Sequence, residues 1–325
     1  MDLACKKLFR DSFTPNSNKL KDLISTKRKS TRLNEQATLL FNDKTDIKVY
    51  SNTEDNVEPN QFYEYTLACL EIIEELETQK KTKEANKIKH QGVKFNLDNT
   101  KKIALFDLDE TLIHCTGNTE LKNNDISKNQ KEEMKSQFKI PIKLPNNQTV
   151  EVGINLRPFW KETLNSIKEK YNIIIFTASH HNYADSILNY MDPDNIYFKH
   201  RLYRNNCILE VVNETKFSVN DLDLFSAYYN LKDIVLIDNS VLSFAHHLDN
   251  GIPIVPYYDN DKDEALCLIE SYLRKISDYD DLREANKLNI KMDELMKVNN
   301  EDYEDSHKEE QDIEDKNTSS INLSR

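Results

Sequence analysis

The stretch from Lys101 to Leu112 constrains everything else in this chain. Ile103 to Phe106 is an unbroken apolar run, short enough for a strand buried on both faces of a parallel sheet. Within one residue it turns into Asp107-x-Asp109-x-Thr111. Carboxylates at the mouth of a buried strand must be paired, hydrogen-bonded or bound to a cation. At i and i+2 of an extended segment, their side chains leave from the same face. Two plainer readings compete. A helix N-cap at Asp109 or Thr111 explains one residue, not three. A calcium loop needs a glycine at its sixth position and a glutamate at its twelfth, and counting from Asp107 gives Leu112 and Asn118.

Similar apolar runs recur. Asn172–Phe176 ends in Thr177-Ala178-Ser179, and Ile234–Ile237 ends in Asp238-Asn239-Ser240. Ile252–Pro256 precedes a helix with Leu266, Ile269, Leu273 and Ile276 on one face. Arg157-Pro158 opens a helix with proline in its first turn, followed by a core stripe of Trp160, Leu164, Ile167 and Tyr171. A second helix carries Tyr183, Ile187, Leu188 and Met191 and ends before Asp192-Pro193. Apolar strands alternating with helices predict an α/β fold, a central parallel sheet with helices on both faces.

Two segments depart from that alternation. Residues 196–217 hold short β-prone pieces broken at Arg204-Asn205-Asn206, which reads as a small antiparallel β insert. Residues 115–150 are polar until Phe138, after which Phe138–Leu144 and Thr149–Leu156 form a strand pair around Pro145-Asn146-Asn147. That segment suits a flap over a site or a plain surface loop, and the sequence leaves both open.

With 31% charged residues and only 4 glycines, the chain has long polar segments around its core. Residues 1–58 are polar and slightly basic without periodicity, which predicts disorder. Residues 59–91 predict an amphipathic helix with Phe62, Leu67, Leu70, Ile73 and Leu76 on one stripe, packed on the main domain or on a partner. The folded domain is expected at 92–277, followed by a charged helix and acidic tail at 278–325. The five cysteines are scattered without a CxxC pair, which fits a reducing compartment, and Cys115 reads as core filler. The opening residues lack an apolar signal core and no run is long enough for a membrane span, so a nuclear or cytoplasmic protein is expected. Lys27-Arg28-Lys29 with Arg32 reads as a solvated linker or an import signal. A net charge of −12 argues against direct nucleic-acid binding.

In a parallel sheet, the endings Asp107/Asp109/Thr111, Thr177/Ser179 and Asp238/Asn239 fall on one edge, where such folds bind ligands. Carboxylate and amide oxygens suit Mg²⁺. A carboxylate can also attack phosphorus, with a second one two residues on handling the proton. A threonine hydroxyl and a lysine can hold phosphoryl oxygens.

These motifs, together with Leu156-Arg157-Pro158, Tyr183-Ala184-Asp185, Arg201-Leu202-Tyr203-Arg204 with Cys207, and Asp249-Asn250-Gly251, resemble the haloacid-dehalogenase superfamily. More narrowly they resemble the small RNA polymerase II C-terminal-domain phosphatases, or NLI-interacting-factor-like phosphatases, over residues 97–277. The resemblance implies a HAD-like three-layer sandwich without a large cap domain. It implies a Mg²⁺-dependent protein serine/threonine phosphatase working through an aspartyl-phosphate, with a phosphorylated protein segment, such as Ser-Pro, as partner. Asp107 would be nucleophile and metal ligand, and Asp109 general acid/base and metal ligand through its carbonyl. Thr177 would hold the phosphoryl group, while Asp238 and Asn239 would complete the metal site. Thr111, Ser179, Tyr183 and Arg204 fall on the substrate side. The family's phosphate-binding lysine precedes Asp-Leu, but here Asn220 precedes Asp221-Leu222. Lys216, at the expected distance from Cys207, is taken for that role. The alternative is a weakly active or non-catalytic phosphopeptide-binding scaffold of the same fold. A small-metabolite phosphatase is disfavoured by the missing cap.

Overall fold

The computed structural model describes residues 59–82, 92–118, 136–143 and 149–296. The basic cluster at 27–32, the expected disordered N-terminus and the acidic tail lie outside them. In chain order the first elements are α1 (Pro59–Thr82), β1 (Lys102–Phe106), β2 (Ile113–Asn118), β3 (Phe138–Lys143) and β4 (Thr149–Leu156). Then come α2 (Trp160–Ile167), β5 (Tyr171–Phe176), α3 (His181–Met191) and β6 (His200–Leu202). A hairpin of β7 (Ile208–Val212) and β8 (Thr215–Val219) precedes β9 (Ile234–Asp238), β10 (Gly251–Pro253), α4 (Ala265–Ile276) and α5 (Leu282–Asn289).

The apolar runs form a five-stranded sheet in the order β10-β9-β1-β5-β6. Every pairing in it is parallel, and Phe106 sits level with Ile175 on one side and Ile237 on the other. Alternation along each strand divides the core in two. Ala104, Phe106, Ile173, Ile175, Val235 and Ile237 face α2, α3 and α4. Ile103, Leu105, Ile174, Phe176, Ile234 and Leu236 face the other way. On that second face α1 lies across the sheet with Leu67, Leu70, Ile73 and Leu76 buried, so the open choice between domain and partner resolves to the domain. The result is a three-layer sandwich, and no large cap is seen among the described residues.

Four expectations need correction. β6 belongs to the central sheet, parallel to β5, because the crossover through α3 returns the chain to the sheet edge. Only β7–β8 is an antiparallel insert. The expected strand pair is three-stranded, since β2 leaves the Asp-x-Asp-x-Thr turn directly and pairs with β4, which pairs with β3. Pro158 precedes α2 instead of opening it, and Phe159 between them takes a left-handed turn at φ 63°. The fold also continues past residue 277. Leu282 and Ala285 of α5 are buried in the first core, and Met292 and Leu295 in the second. At Gly251 a Cβ would lie 2.3 Å from the Phe244 ring, so β10 can pair with β9 only with glycine there.

Candidate active site at the carboxyl edge of the parallel sheet

Where β1 ends, the Asp107 N–H donates to the carbonyl of Ile237 at 3.0 Å, carrying the ladder one residue past the strand. The chain then turns sharply. Glu110 takes φ 57°, and the N–H groups of Leu112 and Ile113 both donate to the Leu108 carbonyl. This turn buries Asp107 and Asp109 at 7% and 6% exposure and Thr111 completely. The Thr111 hydroxyl donates to Asn239 Oδ1 at 3.2 Å and accepts from the Asn239 N–H, also at 3.2 Å. That pair of bonds ties the ends of β1 and β9 together. Beside them Asp238, 2% exposed, accepts from the Ser240 N–H at 2.7 Å. Tyr65 of α1 reaches the Ser240 hydroxyl at 3.2 Å, so the added helix touches the same loop.

The end of β5 supplies the third group. Thr177 accepts the Ser179 N–H on its Oγ1 at 3.2 Å, which leaves its hydroxyl proton to donate elsewhere. Ser179, in the loop after β5, and Tyr183, in the first turn of α3, donate to the two oxygens of Asp109, each at 2.5 Å. Arg204 donates to the Ala178 carbonyl at 2.6 Å and contacts His180 Nε2 at 3.1 Å, while its Nη2 is buried without a partner. It lines a cavity of about 300 Å³ with His180, His181, Asp185 and Tyr203.

Electrostatically the site is a concentration of like charge. Burial pushes Asp107 well above the ordinary carboxylate range, and the Asp238 and Asp109 charges push it further. Asp109 rises to about 6, through burial and then Glu110. Burial likewise raises Asp238 to about 7. No basic side chain appears among the influences on Asp107 or Asp238. Buried carboxylates without a counter-charge favour a divalent cation. The donors available — Asp107, Asp238, the Asn239 amide and the backbone carbonyl of Asp109 — are all oxygens, a set that fits Mg²⁺.

The structure therefore gathers Asp107, Asp109, Thr111, Thr177, Ser179, Tyr183, Asp238 and Asn239 at one rim, with Arg204 alongside. Lys216 is not among them, and this corrects its assignment to the phosphate. It is exposed on β8 opposite Val211. Four residues of extended chain, about 13 Å, separate it from Asn220, just past the end of β8. Asn220 holds the inner position: its side chain donates to the Phe176 carbonyl at 3.0 Å and accepts from Cys207 Sγ at 3.1 Å. The charges of Asp107 and Asp238 reach Cys207, which places Asn220 on the flank of the site.

One residue was read only as part of a motif. Arg157, fully buried, makes a two-pronged ion pair with Asp263 at 2.8 and 2.9 Å and donates to the carbonyls of Thr111 and Val255. It holds the Asp-x-Asp-x-Thr turn against the segment after β10. An arginine directly after an apolar strand was the available signal, but its partner lies 106 residues away.

Fold and strand-end carboxylates together define an α/β domain with an acidic site at the carboxyl edge of its parallel sheet. Residues 102–283, more than half of the chain, match the family model of the NLI interacting factor-like phosphatases, and the chain belongs to that family. It is 34% identical to the CTD small phosphatase-like protein 2 of Dictyostelium discoideum over 196 residues, 60% of this chain and 31% of that protein. It is 33% identical to the CTD small phosphatase-like protein 3 of Caenorhabditis elegans, covering 53% of each. The chain thus spans between about a third and a half of the length of these relatives. Among solved structures, the fission yeast RNA polymerase II CTD phosphatase Fcp1 bound to beryllium fluoride aligns with a TM-score of 0.39 at 19% identity, over 67% of this chain and 66% of that one.

Proposed function

We propose that this domain is a Mg²⁺-dependent protein phosphatase for phosphoserine and phosphothreonine, working through an aspartyl-phosphate on Asp107. The observation that carries the reading is the trio of buried carboxylates Asp107, Asp109 and Asp238 at one rim, with no basic side chain among the influences on Asp107 or Asp238. When bound, Mg²⁺ would supply the counter-charge for Asp107 and Asp238 and draw charge from the phosphoryl oxygens. An Asp107 oxygen attacks phosphorus as the bond to the substrate oxygen breaks. Asp109, with its proton affinity raised to about 6, gives its proton to the departing oxygen and then takes one from the water that attacks phosphorus, as the Asp107 oxygen–phosphorus bond breaks and phosphate leaves. Ser179 and Tyr183 hold that carboxyl in place through their 2.5 Å bonds. Thr177 donates to a phosphoryl oxygen, and Arg204 with its free Nη2 holds the phosphorylated segment in the adjoining cavity.

With no cap among the described residues, the rim is open to a protein segment, and the RNA polymerase II C-terminal domain is the specific substrate proposed. No helix among the described residues is long and apolar enough to cross a membrane, and the nucleus or cytoplasm is the proposed compartment. The second reading, a weakly active or silent phosphopeptide scaffold, is favoured by one observation. Asn220, not a lysine, flanks the site. Hydrolysis of p-nitrophenyl phosphate at mildly acidic pH with Mg²⁺, lost on chelation and in Asp107→Asn, supports the enzyme. An inert wild-type protein that still binds phosphopeptide supports the scaffold. A panel of phosphopeptides with and without proline after the phosphoserine then reads the substrate.

A further inference from the structure

On the far side of Asn220 from Thr177, two segments meet in a cluster that phosphoryl transfer does not use. Asp221 opens the 3-10 turn Leu222–Leu224 and accepts the Asp223 N–H. His246 and His247 follow the turn Val241–Phe244, and Glu210 reaches in from β7. His247 Nε2 lies 2.9 Å from Asp221 Oδ1 and 3.7 Å from Asp223 Oδ1. His246 points Nδ1 at Asp221 Oδ1 at 3.6 Å and its Nε2 at Glu210 Oε1 at 2.8 Å. From these contacts we infer that Asp221, Asp223 and His247 form a structural site for a divalent transition metal of the zinc type, with His246 beside it.

Three features support it. The ligand atoms of Asp221, Asp223 and His247 all lie within 4.8 Å of one another. Their contacts of 2.9 and 3.7 Å straddle the spacing of about 3.3 Å between ligands on a tetrahedral zinc. The second is His246: its Nε2 lies 2.8 Å from the Glu210 carboxylate and its Nδ1 3.6 Å from Asp221 Oδ1, so it orients a proposed ligand from outside the trio. The third is charge. Glu210, Asp221 and Asp223 set three carboxylates against two imidazoles, with Lys80 3.6 Å from Glu210. Imidazole nitrogen beside carboxylate oxygens selects zinc and its neighbours over Mg²⁺. Such an ion would clamp the chain after β8 to the chain after β9, where the Asn220 N–H already donates to the Ser243 carbonyl at 2.8 Å. The inference stands apart from the phosphatase reading.

The test uses the untagged full chain, stripped with chelator and titrated with zinc chloride in excess Mg²⁺. Calorimetry and thermal unfolding should show one zinc per chain and a Tm raised by about 5–10 °C at a hundredfold excess over Kd. His247→Gln and Asp223→Asn should each weaken zinc at least about tenfold, whereas Asp107→Asn should not. The Asp223 side chain is 63% exposed, so Asp223→Asn keeps its fold even where His247→Gln does not. Absence of zinc binding overturns the site, as does zinc binding that both variants keep or that Asp107→Asn removes. Zinc-independent titration of His246 and His247 as plain ion-pair partners also ends it.

Discussion

Two sets of buried charge sit on either side of the Asp-x-Asp-x-Thr turn, and they are built on opposite plans. Arg157 and Asp263 are matched: the guanidinium makes four hydrogen bonds to one carboxylate and two carbonyls, and each of its three nitrogens has a partner. Asp107, Asp109 and Asp238 are mismatched: burial raises the proton affinity of all three, the Asp238 and Asp109 charges raise Asp107 further, and Asp107 and Asp238 have no basic partner. A neutralised buried pair is how a fold fixes a loop; an unneutralised one is a cost that a ligand must offset. One plan predicts structural consequences and the other chemical ones.

Asp107→Asn is the sharpest way to break the contrast. Hydrolysis should fall by at least about a thousandfold, because an amide is a poor nucleophile at that position. Stability in the absence of metal should hold or rise, since one of the repelling charges is gone. A variant that is both inactive and badly destabilised would show that Asp107 belongs to the scaffold. Arg157→Met is the mirror experiment. It strands Asp263 in a buried setting and should cost about 3–5 kcal/mol in urea unfolding. A cost below about 1 kcal/mol would mean that water or another group already satisfies Asp263.

The same contrast extends to pH and metal. For Asp109 and Asp238 the folded-state values, about 6 and about 7, lie above the unfolded value near 4. The folded state therefore binds the extra protons. The stability these groups give is fully present below about pH 4 and is lost as pH rises through about 7. Metal-free protein should melt at a lower temperature at pH 8 than at pH 5.5, by roughly 5 °C from this site. Saturating Mg²⁺ should restore most of the loss at pH 8 and little at pH 5.5, read by thermal unfolding. Asp238→Asn should flatten both responses.

How much of this could be read from the chain depends on how local each feature is. β1, β5 and β9 were legible because a strand buried on both faces must be apolar throughout, and their endings carry the site chemistry in the next three residues. β6 was not legible: His200, Arg201 and Leu202 contain one apolar side chain, and only pairing with β5 makes them a strand. β2 hid for the same reason, its His114, Thr116 and Gly117 having no strand pattern of their own. α5 is charged around most of its surface and buries little beyond Leu282, Ala285 and Asn286, so its docking is a tertiary fact. The His246–His247 cluster draws on β7 and on two separate turns, which no spacing along the chain reveals.

The subtlest difference lies between Lys216 and Asn220, and it turns on a hairpin. Counting from Cys207 brings Lys216 to the expected distance only if the chain between them contributes nothing unusual. Instead Asn213 and Glu214 take φ 45° and 66°, a tight two-residue turn that pairs Val212 with Thr215 and fixes the register. That register sets Lys216 opposite Val211, both exposed, and lets β8 run on until Asn220 meets the Phe176 carbonyl beside Thr177. Lys216→Ala should therefore leave kcat and KM unchanged within error. Asn220→Lys should place a cation at the flank of the carboxylates and raise kcat about tenfold, near 1.4 kcal/mol of transition-state stabilisation. The same substitution should lower the proton affinity of Asp107, moving the acidic limb of the pH–rate profile to lower pH. If Lys216→Ala slows the reaction and Asn220→Lys does not quicken it, the hairpin must shift its register when substrate binds, and the exposed lysine acts after all.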